Sequence, residues 1–305
     1  MKVKFFSDYA DPASLLQRFK ANYDVYDDMI SFTVGEDYDY AVAFNRSDEK
    51  IKDYVKVITV IQEPSWSEAH QYREFLAYSN YLIVHDANLF ERTWNVKMQG
   101  HVIESPAFMF YHDRVDHSFF DGKEHFNKSK KLSMIVSAAG YDWANYQKRL
   151  NLVSKILESD LDIDLFGRGF SLLDSRYKGP LQFKHTGLLP YEYSIAIENS
   201  NERNYISEKF TDCVLCNTVP IYNGAPNISD VYDEKYFRKL DLDSADIIQD
   251  IKKIIKEKAP GTEPNKKIYS ERYNLYTKLK EIIFEIDPRR ELSHRDRHSN
   301  QDPTS

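Results

Sequence analysis

Twice along the chain, short apolar runs of strand length alternate with stretches of helical periodicity. This double alternation restricts the fold more than any other property of the sequence. In the first half, residues 3–6, 40–44, 55–61 and 81–85 read as strands, and 68–78 reads as a helix between two of them. The rhythm restarts with a strand over 132–136, a helix over 143–157 and a strand over 161–166. A strand over 193–197, a helix over 207–216 and a strand over 219–222 follow, and 245–258 and 272–284 read as closing helices. Strands separated by helices imply parallel sheet with helices on its faces. The strongly polar stretch 111–131 reads as a surface connection between the two halves. The expected fold class is therefore α/β, with two Rossmann-like doubly wound domains over residues 1–125 and 126–290. Residues 291–305 hold one leucine and no other aliphatic side chain, and are expected to form a disordered tail.

A length of 305 residues suits two domains, and 42% apolar with 29% charged residues is ordinary for a globular protein. The net charge of −7 argues against nucleic acid as a partner but leaves open small phosphorylated ligands, which need only a local cationic cluster. The amino terminus lacks the apolar core of a signal peptide, and no apolar run is long enough for a membrane span. A cytoplasmic location is expected, with peripheral attachment at an inner membrane left open. Cys213 and Cys216 sit in Cys-Val-Leu-Cys on a predicted helix; without a second pair of ligands they read as small buried residues, not as a zinc or redox site.

The stretch 193–209, Tyr-Ser-Ile-Ala-Ile-Glu-Asn-Ser-Asn-Glu-Arg-Asn-Tyr-Ile-Ser-Glu-Lys, is the most informative for function. Its apolar run ends at Glu198-Asn199-Ser200, where a parallel strand delivers its carboxyl end, and Ser207 is placed to cap the next helix. Lys209 then falls in the first turn, where the helix dipole already presents positive charge. A cation there is unfavourable unless an anion lies between, and helix N-termini bind phosphate readily. In doubly wound sheets, ligands bind outside the carboxyl ends of the strands, so Gly167, Glu198 and Gly224 are expected to converge on one crevice.

The same residues carry a resemblance. Tyr-x-x-x-x-Glu-Asn-Ser from Tyr193, then Tyr205-Ile206-Ser207-Glu208-Lys209, then Val219-Pro220-Ile221-Tyr222-x-Gly224-Ala225-Pro226 resemble the signature of glycosyltransferase family ten, the α-1,3/4-fucosyltransferases. Leu165-Phe166-Gly167-Arg168-Gly169 resembles a glycine turn of that family. The likeness spans roughly residues 130–240 and is thin before residue 55. It implies a soluble microbial or viral member of GT-B type: two Rossmann-like domains facing a cleft, the second binding GDP-fucose and the first the saccharide acceptor. The implied reaction is inverting transfer of fucose to a hydroxyl, in the building of surface glycan or lipopolysaccharide precursors. The alternatives are another GDP-sugar donor or a catalytically silent nucleotide-sugar-binding protein. Acceptor, linkage and oligomeric state are not legible.

Departure of the diphosphate develops negative charge, which cations stabilise more strongly in the transition state than in the ground state. Lys209 and Arg149 are the candidates, with Lys148 the alternative to Arg149, since the resemblance implies a basic residue on this helix that reaches the phosphates. Glu208 can accept from two donor hydroxyls at once. Asn199 and Tyr205 match family positions lining the donor pocket; Ser207, Gly167, Arg168 and Glu198 complete the expected donor set. The acceptor hydroxyl needs a base on the opposite face. Glu63 in Gln62-Glu63-Pro64 resembles the segment carrying the family's proposed catalytic glutamate, although Gln62 stands where the family has glycine. Glu104, Asp86 and Asp113 are rivals. The run from His112 to His117 has no metal-ligand spacing, so no metal site or cofactor is expected; divalent-metal stimulation, known for some members, stays open.

Overall fold

The apolar runs become two separate parallel sheets. The computed structural model describes residues 1–25, 29–71, 75–108, 116–120, 126–138, 144–262 and 266–287. The first sheet contains β1 (Lys2–Ser7), β2 (Ser31–Thr33), β3 (Tyr40–Phe44), β4 (Lys56–Val60), β5 (Tyr81–Val84) and β6 (His101–Glu104), in the order β2-β1-β3-β4-β5-β6. The second contains β7 (Lys130–Ile135), β8 (Asp164–Phe166), β9 (Tyr191–Ile197), β10 (Val219–Asn223) and β11 (Arg238–Lys239), in the order β11-β10-β9-β7-β8. Both orders reverse beside the first strand of their lobe, at β1/β3 and at β7/β9, and such reversal points open a crevice at the carboxyl ends. The near-continuous burial of β9 explains its unbroken Ile-Ala-Ile run, because a central parallel strand has helices on both faces.

The helices are α1 (Pro12–Asn22), α2 (Phe75–Tyr78), α3 (Ala87–Trp94), α4 (His117–Phe120), α5 (Ala144–Leu157), α6 (Glu208–Leu215), α7 (Ile228–Val231), α8 (Ile247–Lys256) and α9 (Leu275–Ile286). The helix expected over 68–78 is instead a 3-10 turn at Glu68–His70 followed by the short α2, with residues 72–74 outside the described ones. Seven elements are not anticipated from the sequence pattern: α1, β2, α3, β6, α4, α7 and β11. The Asp11 carboxylate accepts from the amides of Ala13 and Ser14, and Pro12 opens α1 with its φ already helical, so the start signal of that helix was present. The edge strand β6 is mostly exposed, which leaves no apolar alternation to read.

The division at residues 125 and 290 needs two adjustments. Phe120 of α4 packs into the second lobe's core beside Ile206 and Phe210. The closing helix α9, assigned from sequence to the second unit, crosses back to the first. Its Leu275, Tyr276, Leu279, Ile282 and Ile283 are buried against Phe5, Phe19 and Val42. An apolar stripe states that a helix needs a core, not which of two cores it will cover. The expected tail, 291–305, lies outside the described residues.

Two glycines permit close approaches beneath the cleft. At Gly167, which has φ +150°, a Cβ would lie 1.4 Å from the Val136 carbonyl oxygen. At Gly224 a Cβ would sit 2.3 Å from the Tyr222 hydroxyl and 2.4 Å from Cγ of Glu198. Cys213 and Cys216 are free thiols buried in the core between α6 and β10, as their apolar context predicts.

Candidate active site

Behind the cleft in the second lobe, β9 is followed directly by Glu198, which has no exposed surface. Its carboxylate accepts from the Ser207 amide at 2.7 Å and from Ser207 Oγ–H at 2.5 Å, and the Tyr222 hydroxyl lies 3.5 Å away. Ser207 caps α6, its Oγ accepting the Lys209 amide at 3.3 Å. Burial raises the Glu198 pKa against the opposing pull of Lys209. Glu198, Ser207 and Tyr205, all expected in the donor set, lie together at the start of α6. Glu198 and Ser207 are fully enclosed and bonded to each other, and Tyr205 is 1% exposed with its ring edge on His85. Glu198 and Ser207 hold the first turn of α6 in place. Asn199 is half-buried at the strand end, and Arg168 is exposed in the turn after β8 with Gly167 buried beneath it.

Cations gather on this frame. Lys209 Nζ lies 3.2 Å from Glu208 Oε1, 3.2 Å from Ser207 Oγ and 3.8 Å from Glu198 Oε2. Lys184, just before β9, reaches Asp212 at 2.7 Å and Glu208 at 3.7 Å. Burial pushes the Glu208 carboxyl up, but Lys209 and Lys184 outweigh it and hold Glu208 well below the usual carboxylate range. Arg149 faces the same slot from α5, with Lys184, Lys209 and Cys213 also on its walls. Its guanidinium stacks over the Tyr146 ring at 4.8 Å, while Nε is buried without a hydrogen-bond partner among the described residues. Such a group is costly to bury unless something anionic meets it. The neighbouring Lys148 points away, pairing with Asp243 at 2.6 Å on the surface. Helix phase separates the two: Tyr146, Arg149, Leu152, Val153 and Ile156 share the buried stripe, and Lys148 does not.

From the other side, Glu63 follows β4 at the carboxyl edge of the first sheet. Its amide donates to Asn45 Oδ1 at 3.2 Å, and the residue is half-buried. Burial raises its pKa, with Lys209 opposing and Glu208 and Asp8 assisting, so charges of the second lobe act on this first-lobe group. Tyr9, after β1, is 46% exposed and donates its hydroxyl to Gln62 Oε1 at 3.0 Å. The rival bases are engaged elsewhere. Asp86 caps α3 through the Leu89 amide, and Glu104 binds Arg203 at 2.8 Å and the Ala87 amide at 3.0 Å. Asp113 and His112 lie outside the described residues. Among the described residues no three His, Cys, Asp or Glu side chains form a metal-binding group, and no helix is long and apolar enough to cross a membrane.

Sequence reading missed Lys184, His85 and Glu202. Lys184 precedes its strand without a motif, and Glu202 lies inside the informative stretch but looks like a solvated loop residue. His85 Nε2 lies 2.7 Å from Glu202 Oε2 across the lobes, a pairing no sequence spacing announces.

Two parallel sheets with helices on their faces give the chain the GT-B type fold. Residues 125–259, a little under half of the chain, match the model described as glycosyltransferase family 10 (fucosyltransferase), C-terminal domain. A putative fucosyltransferase-like protein of Arabidopsis thaliana is 30% identical over 82 residues, 27% of this chain and 15% of that protein. An alpha-(1,3)-fucosyltransferase of Caenorhabditis elegans is 36% identical over 99 residues, 31% of this chain and 25% of that enzyme. The matches thus span a quarter or less of those relatives' length. The crystal structure of an α1,3-fucosyltransferase shares the fold, with a TM-score of 0.51, 16% identity, and coverage of 84% of this chain and 77% of that one.

Proposed function

We propose that this protein is an inverting glycosyltransferase that moves fucose from GDP-fucose to a hydroxyl of a saccharide acceptor. The observation that carries the reading is that Glu63 of the first lobe lies within charge reach of Lys209 and Glu208 of the second. In the proposed reaction the Glu63 carboxylate takes the acceptor O–H proton as that oxygen attacks the anomeric carbon. The bond from that carbon to the diphosphate breaks, and the electron pair leaves with GDP. Arg149, Lys209 and Lys184 meet the charge that develops there, an effect typically large in group transfer. Glu208, held ionised, accepts hydroxyls of the donor sugar. Side-chain cations do this work without a resident cofactor in the scheme. The match of residues 125–259 to the fucosyltransferase family model supports fucose over another GDP-sugar, and the opposed base and cations favour an enzyme over a silent binding protein.

The reading is tested by thermal-shift measurements with GDP, GDP-fucose, GDP-mannose, UDP and UDP-sugars, followed by transfer assays. A ligand at about a hundred times its Kd stabilises by about 2.7 kcal/mol, so GDP and GDP-fucose should raise Tm by several degrees and the uridine ligands should not. A uridine-selective shift, or none, would overturn the donor assignment. On the acceptor side, the exposed Tyr9 ring beside Glu63 offers a stacking face for a pyranose. Tyr9→Ala should raise the acceptor KM about tenfold or more while GDP affinity stays unchanged, for loss of an aromatic contact of about 1–2 kcal/mol. Tyr9→Phe, which keeps the ring, should not.

A further inference from the structure

The loop carrying Glu63 is tied to the opposite lobe. The Ser65 amide donates to Glu202 Oε2 at 2.9 Å. Trp66 Nε1–H donates to Ser200 Oγ at 3.2 Å, and that hydroxyl donates to Glu202 Oε1 at 2.8 Å. His85, directly after β5, reaches the same Oε2 at 2.7 Å. A carboxylate can only accept, so His85 Nε2 carries the proton. From the second lobe, Asn204 Nδ2–H donates to the His85 carbonyl at 2.8 Å. Glu202 is 6% exposed and His85 not at all. Burial would raise the Glu202 carboxyl, but His85 and the Ser65 contacts outweigh it and hold the group below its ordinary value. One ionised side chain therefore joins the base loop, the end of β5 and the loop that follows Asn199.

We infer that Glu202 is a positioning residue: it sets the distance between Glu63 and the donor pocket by fastening residues 62–66 to residues 199–205. Displacements of about 1 Å in a reacting group can cost about a hundredfold in rate. Two loops on different sheets have no covalent means of keeping such a register. A buried, fully bonded carboxylate supplies one, because each donor it holds would be left unpaired if the loops parted. The inference rests on the reading of Glu63 as the base.

The test uses the full chain with Glu202→Ala and Glu202→Gln. The amide of the glutamine variant keeps an oxygen for Ser65 and His85 and can donate to Ser200, so it should preserve the register. Glu202→Ala should lower kcat at least tenfold while GDP affinity stays within about threefold, and Glu202→Gln should restore most of the loss. Amide exchange at Ser65 should be slow in the parent and in the glutamine variant, and at least tenfold faster in the alanine variant. Should Glu202→Ala fail to fold, the pair Trp66→Phe with Ser200→Ala, which removes only the second arm, should still lower kcat about threefold at unchanged GDP affinity. Parental kcat in these variants, or GDP affinity falling in step with kcat, would overturn the inference. Unchanged Ser65 exchange in Glu202→Ala would overturn it even if no transfer activity were found, so the outcome is separate from that of the fucosyl-transfer reading.

Discussion

Glu63→Gln should lower kcat at least about a hundredfold while leaving GDP affinity within about twofold of the parent. The substitution keeps the size of the side chain and removes only its capacity to take a proton. Among the described residues no hydrogen bond depends on the carboxyl, and the loop is held through its backbone: the Glu63 amide on Asn45 and the Glu63 carbonyl near His70 Nε2. The pH profile gives a second readout. Burial raises the carboxyl's pKa, so the base is lost as pH falls through a value above the ordinary 4.5. The acidic limb of kcat/KM should therefore lie above that value in the parent and vanish in the glutamine variant. Parental turnover in Glu63→Gln would remove Glu63 from the chemistry.

The second large effect is expected at Arg149, and its sign differs between stability and function. Arg149→Met keeps the aliphatic stem and deletes a buried guanidinium whose Nε has no partner among the described residues. Without ligand, Tm should be unchanged or higher, because a desolvated charge is removed. GDP affinity should fall about 10- to 100-fold, for loss of a charge-assisted contact of about 1.5–3 kcal/mol, and turnover should fall at least as far. Lys148→Met is the control. Its exposed pair with Asp243 contributes about 0–1 kcal/mol, so both readouts should stay near the parent. Equal loss in the two variants, or a large drop in Tm for Arg149→Met, would show that the arginine supports the fold and not the ligand. Lys209→Ala should weaken GDP binding as well, with a structural share, since its ammonium also contacts Ser207 Oγ and Glu208.

Much of this protein was legible as local pattern. Unbroken apolar runs such as Ile195-Ala196-Ile197 specify strands buried on both faces, and the cap at Ser207 specifies where α6 begins, because both are decided by residues near in sequence. The choice between Arg149 and Lys148 was also within reach, since the stripe of Tyr146, Val153 and Ile156 already fixes which face of α5 turns inward. Leu150 is only half-buried, whereas Leu152 lies on the buried stripe. What sequence could not supply were relations between distant segments. Whether Glu198 touches a ligand or only caps a helix depends on how closely Ser207 and Tyr222 approach it. Whether α9 covers the first sheet or the second depends on which core is left open to it. Lys184 enters the site only because the segment before β9 passes the side of α6. The buried central strands and the cap at Ser207 follow from the sequence alone. The tie from Ser65 to Glu202 was decided by the packing of two sheets, because residues 137 apart in the chain have no local interaction that could bring them together.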